Sequence, residues 1–424
     1  MKRLIIYGLS ACLCVMMHSC LFSEENIFEA SSAQRAMASV KECNKVLQGA
    51  ANGWLLEYYP GDGPAFGGYN LLAKFDGEKV EMAADVATEH FPAGEISVSL
   101  YKVLSNQSTE LSFDSYNEVI HSFCEPSGFN APGYAGDYEF VFKSVSKEKI
   151  VLTGKKHGNT LVMTPMPLDV DWKTFLKEIV RIQEETPYAT YKLKVGEGEE
   201  KDLFRVNRTL TMEITDEKGK KTTENHPFIY TQEGIKLLEP LDCDGVKMTR
   251  FRWNGTERTF LCSDEGVQAA IAFHCPEKYK NYLGIYLVIY NAAMAVANIA
   301  QKVEGVSYTF KAYSGELAKF PIELTYNMKN ECMDILFQYV GNNNGQKVYV
   351  CPWSVASGYL TWTAGSGLSG YISEEKPLTI SFRDNGVWGE ATGFVIFGFY
   401  GAPSNATVGG SIAQVANLSM RKIG

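Results

Sequence analysis

Positive charge is scarce in this sequence. Forty lysines and arginines stand against 49 acidic residues, for a net charge of −9, and no local basic patch gathers the cations. A protein with that balance does not hold phosphate backbones, so nucleic acid is excluded as a partner. Catalytic signatures are missing too: the chain has no H-E-x-x-H, no G-x-S-x-G elbow, no P-loop, and no C-x-x-C beyond its N-terminal segment. Cysteine supplies no framework. Cys43, Cys124, Cys243, Cys262, Cys275, Cys332 and Cys351 are odd in number and scattered, so most are expected as small buried apolar side chains rather than disulfides. Histidine is equally thin. His90, His121, His157, His226 and His274 include no pair at helical i, i+4 spacing. No cofactor is implied. Long apolar runs are also few: Tyr282–Val303 alone approaches a membrane span inside the chain. Gly284, Asn291 and Asn298 interrupt it, so it is expected as a buried strand followed by a helix, or as one buried helix, ahead of a transmembrane segment.

What the sequence does have is a succession of short apolar runs. From Trp54 to Met166 they read WLLEYY, YNLLAKF, EKVEMAA, ISVSLYKVL, TELSFDSYN, DYEFVFKSV, EKIVLTGKK and TLVMTPM, broken by turn chemistry at Asp76-Gly77 and His157-Gly158-Asn159. Val98, Leu100 and Lys102 alternate with Ser99, Tyr101 and Val103, as a strand with two unlike faces requires. About eight antiparallel runs in sequence order is also the number at which a small barrel closes. The fold is therefore expected to be mainly β with a few packing helices, in consecutive antiparallel meanders. The first meander is read as a lipocalin-like eight-stranded barrel, with an open or two-layer sheet as its alternative.

Helical spacing appears at Phe28–Ala51, stopped by Gly53, and at Asp169–Glu185, ended by Thr186-Pro187. Strands resume after each. Asn254-Gly255 predicts a type I′ hairpin in which Trp253 faces Thr256 and Arg252 faces Glu257, placing Cys262 opposite Lys247. Asp242-Cys243-Asp244-Gly245 starts like a calcium loop but lacks the later ligands, and is expected as a turn. At 424 residues more than one core is required. The expected units are a helix plus β-meander over 20–166, a second such unit over 167–275 and a β-rich C-terminal domain over 276–424.

Residues 1–19 read as a lipoprotein signal peptide. Lys2 and Arg3 precede an apolar run from Leu4 to Met17 that is too short to span a bilayer. Ser19-Cys20 closes it in the manner of a bacterial lipobox, where a thiol is needed to take a diacylglycerol; Cys20 is the expected lipid-attachment residue. An ordinary secretory signal is the alternative. Glu24 and Glu25 shortly afterwards resemble a surface-export signal, so the expected location is the outer membrane, facing the cell surface rather than the periplasm.

Candidate site chemistry is sparse. Gly365-Ser366-Gly367-Leu368-Ser369-Gly370 has the G-x-G-x-x-G spacing, but no helix follows, so it is expected as a glycine-rich loop between strands. His121, near Asp114 and Cys124, is the best metal-ligand candidate, although a histidine hydrogen-bonding a strand end outweighs it; no metal or catalytic residue is assigned. The densest aromatic composition comprises Trp353, Tyr359, Trp362, Tyr371 and Trp388 among Ser, Gly and Thr. These five are the candidate ligand-binding residues, with the filling of a β core as the other use of such rings.

Several phrases resemble an uncharacterised family of Bacteroidetes lipoproteins, the domain-of-unknown-function family four-three-zero-two. They are Gly53-Trp54, Gly67-Gly68-Tyr69-Asn70, Leu111-Ser112-Phe113-Asp114-Ser115-Tyr116-Asn117 with His121, Gly136-Asp137-Tyr138-Glu139-Phe140 and Leu152-Thr153-Gly154-Lys155-Lys156. The resemblance runs from about Cys20 to Ser263. It implies an outer-membrane lipoprotein encoded beside a transporter and nutrient-binding lipoprotein pair of the starch-utilisation type, and it carries no activity onto residues. The expected function is a surface-anchored, non-catalytic binding or accessory lipoprotein of nutrient uptake, with a glycan or peptide ligand. The alternatives are a secreted hydrolase whose active site assembles through space, and a haem- or metal-scavenging lipoprotein.

Overall fold

The computed structural model describes residues 31–88, 91–125, 133–215 and 219–424; residues 1–19, expected as a signal peptide, and Cys20, Glu24, Glu25 and His90 lie outside them. Three closed eight-stranded antiparallel barrels follow one another along the chain, and a four-stranded sheet accompanies the third. The expected meanders are therefore present, and the first does close as a barrel.

Closure of the first barrel runs through its opening strand Trp54–Tyr59. Trp54 pairs with Ala73 on one side and Pro165 on the other. Leu56, Tyr58, Leu71, Met82, Leu152 and Leu161 are buried inside, as expected of an eight-stranded barrel, whose bore is just wide enough to be filled by side chains. The helix α1 (Ser32–Gln48) covers one end. Ser31 caps it: its Oγ accepts from Gln34 N–H at 3.2 Å while Gln34 Oε1 accepts from Ser31 N–H at 3.0 Å, a reciprocal pair that satisfies two otherwise orphaned donors. The helix stops at Gly49, four residues before the expected Gly53, and Cys43, Val46 and Leu47 face the barrel core.

A second helix, α2 (Trp172–Glu185), begins at the Asp171 cap, whose carboxylate accepts from Thr174 N–H at 2.8 Å. Its apolar face serves two barrels at once. Leu176 packs with Leu72 and Ala83 of the first barrel, whereas Ile179 and Ile182 enter the core of the second. The second barrel closes where Leu193 pairs with both Lys201 and Ile271.

Three local expectations fail. Tyr282–Val303 is no helix: the strands Gly284–Tyr290 and Ala293–Val303 form a hairpin, preceded by a 3-10 turn at Glu277–Tyr282. Its two-residue loop puts Asn291 and Ala292 at φ 50° and 59°, the type I′ conformation that matches strand twist. Burial has period two, with Tyr286, Val288, Ala295, Ala297 and Ile299 inward. The second failure is at Asn254-Gly255. Asn254 pairs with Thr259, Trp253 with Phe260, Arg252 with Leu261 and Phe251 with Cys262, so the loop has four residues. The Asn254 carboxamide oxygen accepts from Thr256 and Glu257 N–H, an Asx-type closure that widens the turn, and Arg258 takes the positive φ. Asp244-Gly245, by contrast, makes the expected tight turn between paired Cys243 and Val246.

The third barrel closes through the C-terminal strand Ser419–Lys422, which pairs with Gly284–Tyr290 and Thr379–Asp384. Between its strands the chain makes excursions that build the outer sheet, in the spatial order Gln338–Asn343, Gln346–Trp353, Gly393–Phe399, Val408–Ala416. One face of that sheet, through Val340, Val348, Val350, Phe394, Ile396 and Val415, joins the core of the third barrel. The run Gly367–Gly370 is not a loop either. It belongs to the buried barrel strand Gly367–Ile372, where a side chain at Gly370 would meet Phe382 and Ile380.

Candidate functional site

The family-like phrases of the sequence mark two polar hubs. At the junction of the first two barrels, the Arg208 guanidinium lies 3.0 Å from the Asp85 carboxylate, with side-chain exposures of 7% and 0%. The same guanidinium donates to Gly68 O at 2.7 Å and to Gln183 Oε1 at 3.1 Å, and rests 4.1 Å above the Tyr69 ring. Asn70 Nδ2 donates to Asp85 at 2.7 Å and to Tyr230 O at 2.9 Å. Gly67 has φ +73°, and a Cβ there would sit 2.2 Å from Arg208 O. Gly-Gly-Tyr-Asn is thus a docking surface inside the molecule. In the second hub, the buried Asp137 carboxylate accepts backbone N–H from Lys156, His157 and Asn159 at 2.8, 3.0 and 3.2 Å. A side chain at Gly154 would collide with it. Tyr58 OH accepts from Asp137 N–H at 2.7 Å and donates to Asn159 Oδ1 at 2.9 Å. Both hubs are satisfied networks that fix the fold.

His121 is used as an acceptor. Its Nδ1 takes the Asn117 N–H at 3.1 Å, and its ring lies between Tyr116 and Tyr138 at 5.3 and 5.0 Å. Burial lowers its pKa. Among the described residues no three His, Cys, Asp or Glu side chains converge as metal ligands would. The seven cysteines Cys43 to Cys351 are free thiols. Burial pushes Cys124 and Cys351 up to about 12, leaving them protonated and poorly nucleophilic near neutrality.

The outward face of the outer sheet differs in kind. On it Tyr339 meets Tyr349 edge-on at 5.4 Å, and Phe337 stacks on Tyr349 at 5.5 Å and 6°. Tyr349 in turn meets Phe399 at 5.7 Å, and Phe399 meets Phe397 at 5.1 Å and Trp362 at 5.8 Å. Six rings thus form one contact network on a surface that strand alternation turns away from the barrel core. Phe399 is fully buried beneath its neighbours, whereas Tyr339 is 45% exposed; Tyr359 and Tyr400 at the margins are 72% and 70% exposed.

Of the five residues expected to bind ligand, the structure brings three to this region. Trp353 ends a sheet strand and bridges to Leu360, Tyr359 stands exposed on the following loop, and Trp362 lies edge-on to Phe399. The other two go elsewhere. Tyr371 is on the third barrel under the Arg383 guanidinium at 4.0 Å, and Trp388 packs on that barrel's core. Sequence reading missed Phe337, Tyr339, Tyr349, Phe397 and Phe399; the alternate placing of rings in FQY and FVIFGFY was the available signal.

A family model described as domain of unknown function (DUF4302) matches residues 24–255, more than half of the chain. It takes in α1, the first barrel, α2 and the second barrel up to its last two strands. A second model, a domain of unknown function (DUF4987), matches residues 270–396. No curated protein matches. A solved structure, the β chain of DNA polymerase III from Streptococcus pneumoniae, aligns over 92% of this chain and 97% of its own at 10% identity. Its TM-score of 0.10 carries no argument.

Proposed function

We propose, from the premise that this chain belongs to the family described as domain of unknown function (DUF4302), that it is a surface-anchored, non-catalytic binding lipoprotein of an outer-membrane nutrient-uptake system. Cys20 holds it to the membrane, and a transporter with its nutrient-binding lipoprotein is the partner machinery. The observation that carries the binding half is the connected ring network on the outward face of the outer sheet, with Tyr339, Tyr359 and Tyr400 open to solvent. Large rigid rings give up little conformational freedom on binding and offer flat apolar area, as anchors of recognition sites do. The anchoring half is supported by Lys2, Arg3, the short apolar run and Ser19-Cys20. Two acyl chains hold a protein stably where one is marginal.

Two measurements test this. Metabolic labelling with a fatty acid should mark the wild type and leave Cys20→Ser unlabelled; equal labelling of both would refute the anchor. A thermal-shift screen against glycans and peptides should give a saturating rise in Tm, because a ligand bound only by the folded form stabilises it by RT ln(1 + [L]/Kd). That rise should vanish in Trp362→Ala. A screen in which no glycan and no peptide shifts the wild type would sink the binding half.

A further inference from the structure

The outer sheet is set apart by what its ligand would have to lack. The 26 residues from Val348 to Ser373 and the 30 from Ala391 to Met420 contain no Asp, Glu, Lys, Arg or His, in a chain that is 21% charged. Across the four sheet strands and the loop from Ser354 to Ser366, Lys347 is the one charged residue. Those elements also contain no Met and no Arg, the residue types that accompany aromatics at protein-docking cores. The rings are instead interleaved with amides and hydroxyls: Asn342 and Asn343 on one edge strand, Ser411 and Gln414 on the other, Thr361 and Thr363 on the loop.

From this juxtaposition of a half-buried ring network that opens to solvent at Tyr339 with a nearly charge-free amide and hydroxyl surface, we infer that the face takes a neutral, hydroxyl-rich glycan chain. A pyranose ring offers an apolar C–H face to Tyr339 or Trp362, and its hydroxyls exchange hydrogen bonds with neutral amides without desolvating a charge. A uronic-acid or sulfated polymer would bring unpaired anions against this surface, and an uncompensated desolvated charge is strongly unfavourable. The network crosses three adjacent strands, from Tyr339 through Tyr349 to Phe399, which suits a chain laid across the sheet rather than a small molecule in a pocket.

The inference rests on the proposed binding role and narrows its ligand to one class. Affinity electrophoresis of the full chain through gels containing galactomannan, glycogen, hydroxyethyl cellulose, polygalacturonate or chondroitin sulfate separates the outcomes. Retardation is expected in at least one neutral polymer and in neither acidic one. Tyr339→Ala and Tyr359→Ala should each weaken it about tenfold with Tm unchanged, a loss of about 1.4 kcal/mol of the size one ring contact supplies. Retardation by an acidic polymer equal to or above that of the neutral ones, or a thermal shift with peptides alone, overturns the neutral-glycan assignment while leaving a binding protein. Retardation that survives both tyrosine variants overturns the site. Failure of every polymer and every peptide brings down both readings together.

Discussion

A buried histidine inside the second barrel couples stability to pH. His226 is paired across the strands with Leu210, its side chain is 10% exposed, and the Glu224 carboxylate lies 3.7 Å away. Among the described residues its Nε2 finds no hydrogen-bond partner. Burial lowers its pKa below the usual 6.5, and His121 shifts in the same direction for the same cause. Below about pH 6.5 the unfolded chain therefore takes up protons that the folded chain refuses, so acidification favours unfolding. The contribution of these groups is present in full above 6.5 and is lost as pH falls through that value toward the lowered folded pKa. His226→Phe should flatten the fall of Tm between pH 7.5 and 5. A variant whose Tm profile runs parallel to the wild type over that range would show that His226 does not contribute. The hydrogen-bonding use of His121 was the reading its sequence neighbourhood favoured, whereas the environment of His226 was not legible, because spacing carries no information on which side chains a barrel takes in.

At the scale of elements, the hairpin tip at Asn291-Ala292 shows where local reading went astray and why. Twenty-two mostly apolar residues without Asn-Gly, Asp-Gly or Pro looked continuous, and the turn is made by a dipeptide with a weak signature. Tertiary contacts hold it: Asn291 Nδ2 donates to Gln414 O at 2.6 Å, and its Oδ1 accepts from Ala416 N–H at 2.9 Å. Ala292 sits at φ 59°, a conformation an L-alanine enters at a cost of roughly 1 kcal/mol. Ala292→Gly should therefore stabilise the protein by about 0.5–1 kcal/mol, visible as a higher urea midpoint at constant m. A lower midpoint would mean that glycine's extra freedom in the unfolded chain outweighs the relief of strain. Asn254-Gly255 errs the opposite way. The dipeptide was present, but the Asn254 side chain closes a longer loop, and the flanking register moved with it.

Across the whole molecule, the first two barrels are tied by charge as well as by α2. Asp85 and Arg208 come from different barrels, and each would be left buried and unpaired without the other. Arg208→Met alone should cost about 3–5 kcal/mol, whereas Asp85→Asn combined with Arg208→Met should cost well under the sum of the single changes, because removing both charges abolishes the unpaired state. Denaturant unfolding of the four proteins of that cycle measures the coupling; additive losses would exclude a pair of this kind. Lys236 and Glu57 add a second, half-buried tie across the junction, and Arg258 reaches Glu304 of the third barrel at 2.7 Å. The ties place three barrels in fixed succession, with the ring-bearing sheet carried on the last.

The sequence by itself determined the elements whose cause is local. The alternating runs after Trp54 became strands because period-two burial is written into them, and α2 was readable from its apolar spacing, although it starts at Trp172 behind the Asp171 cap rather than at Asp169. Tertiary structure alone decided the rest. The purpose of Gly67-Gly68-Tyr69-Asn70 appears only when Arg208, distant in sequence, arrives against it. Likewise, Trp362 and Tyr339 share a surface while Tyr371 and Trp388, also aromatic and in the same third of the chain, do not. Which rings fill a core and which face water depends on how strands from separate excursions pair, and pairing between distant segments is settled by the closure of the whole sheet rather than by any residue's own preference.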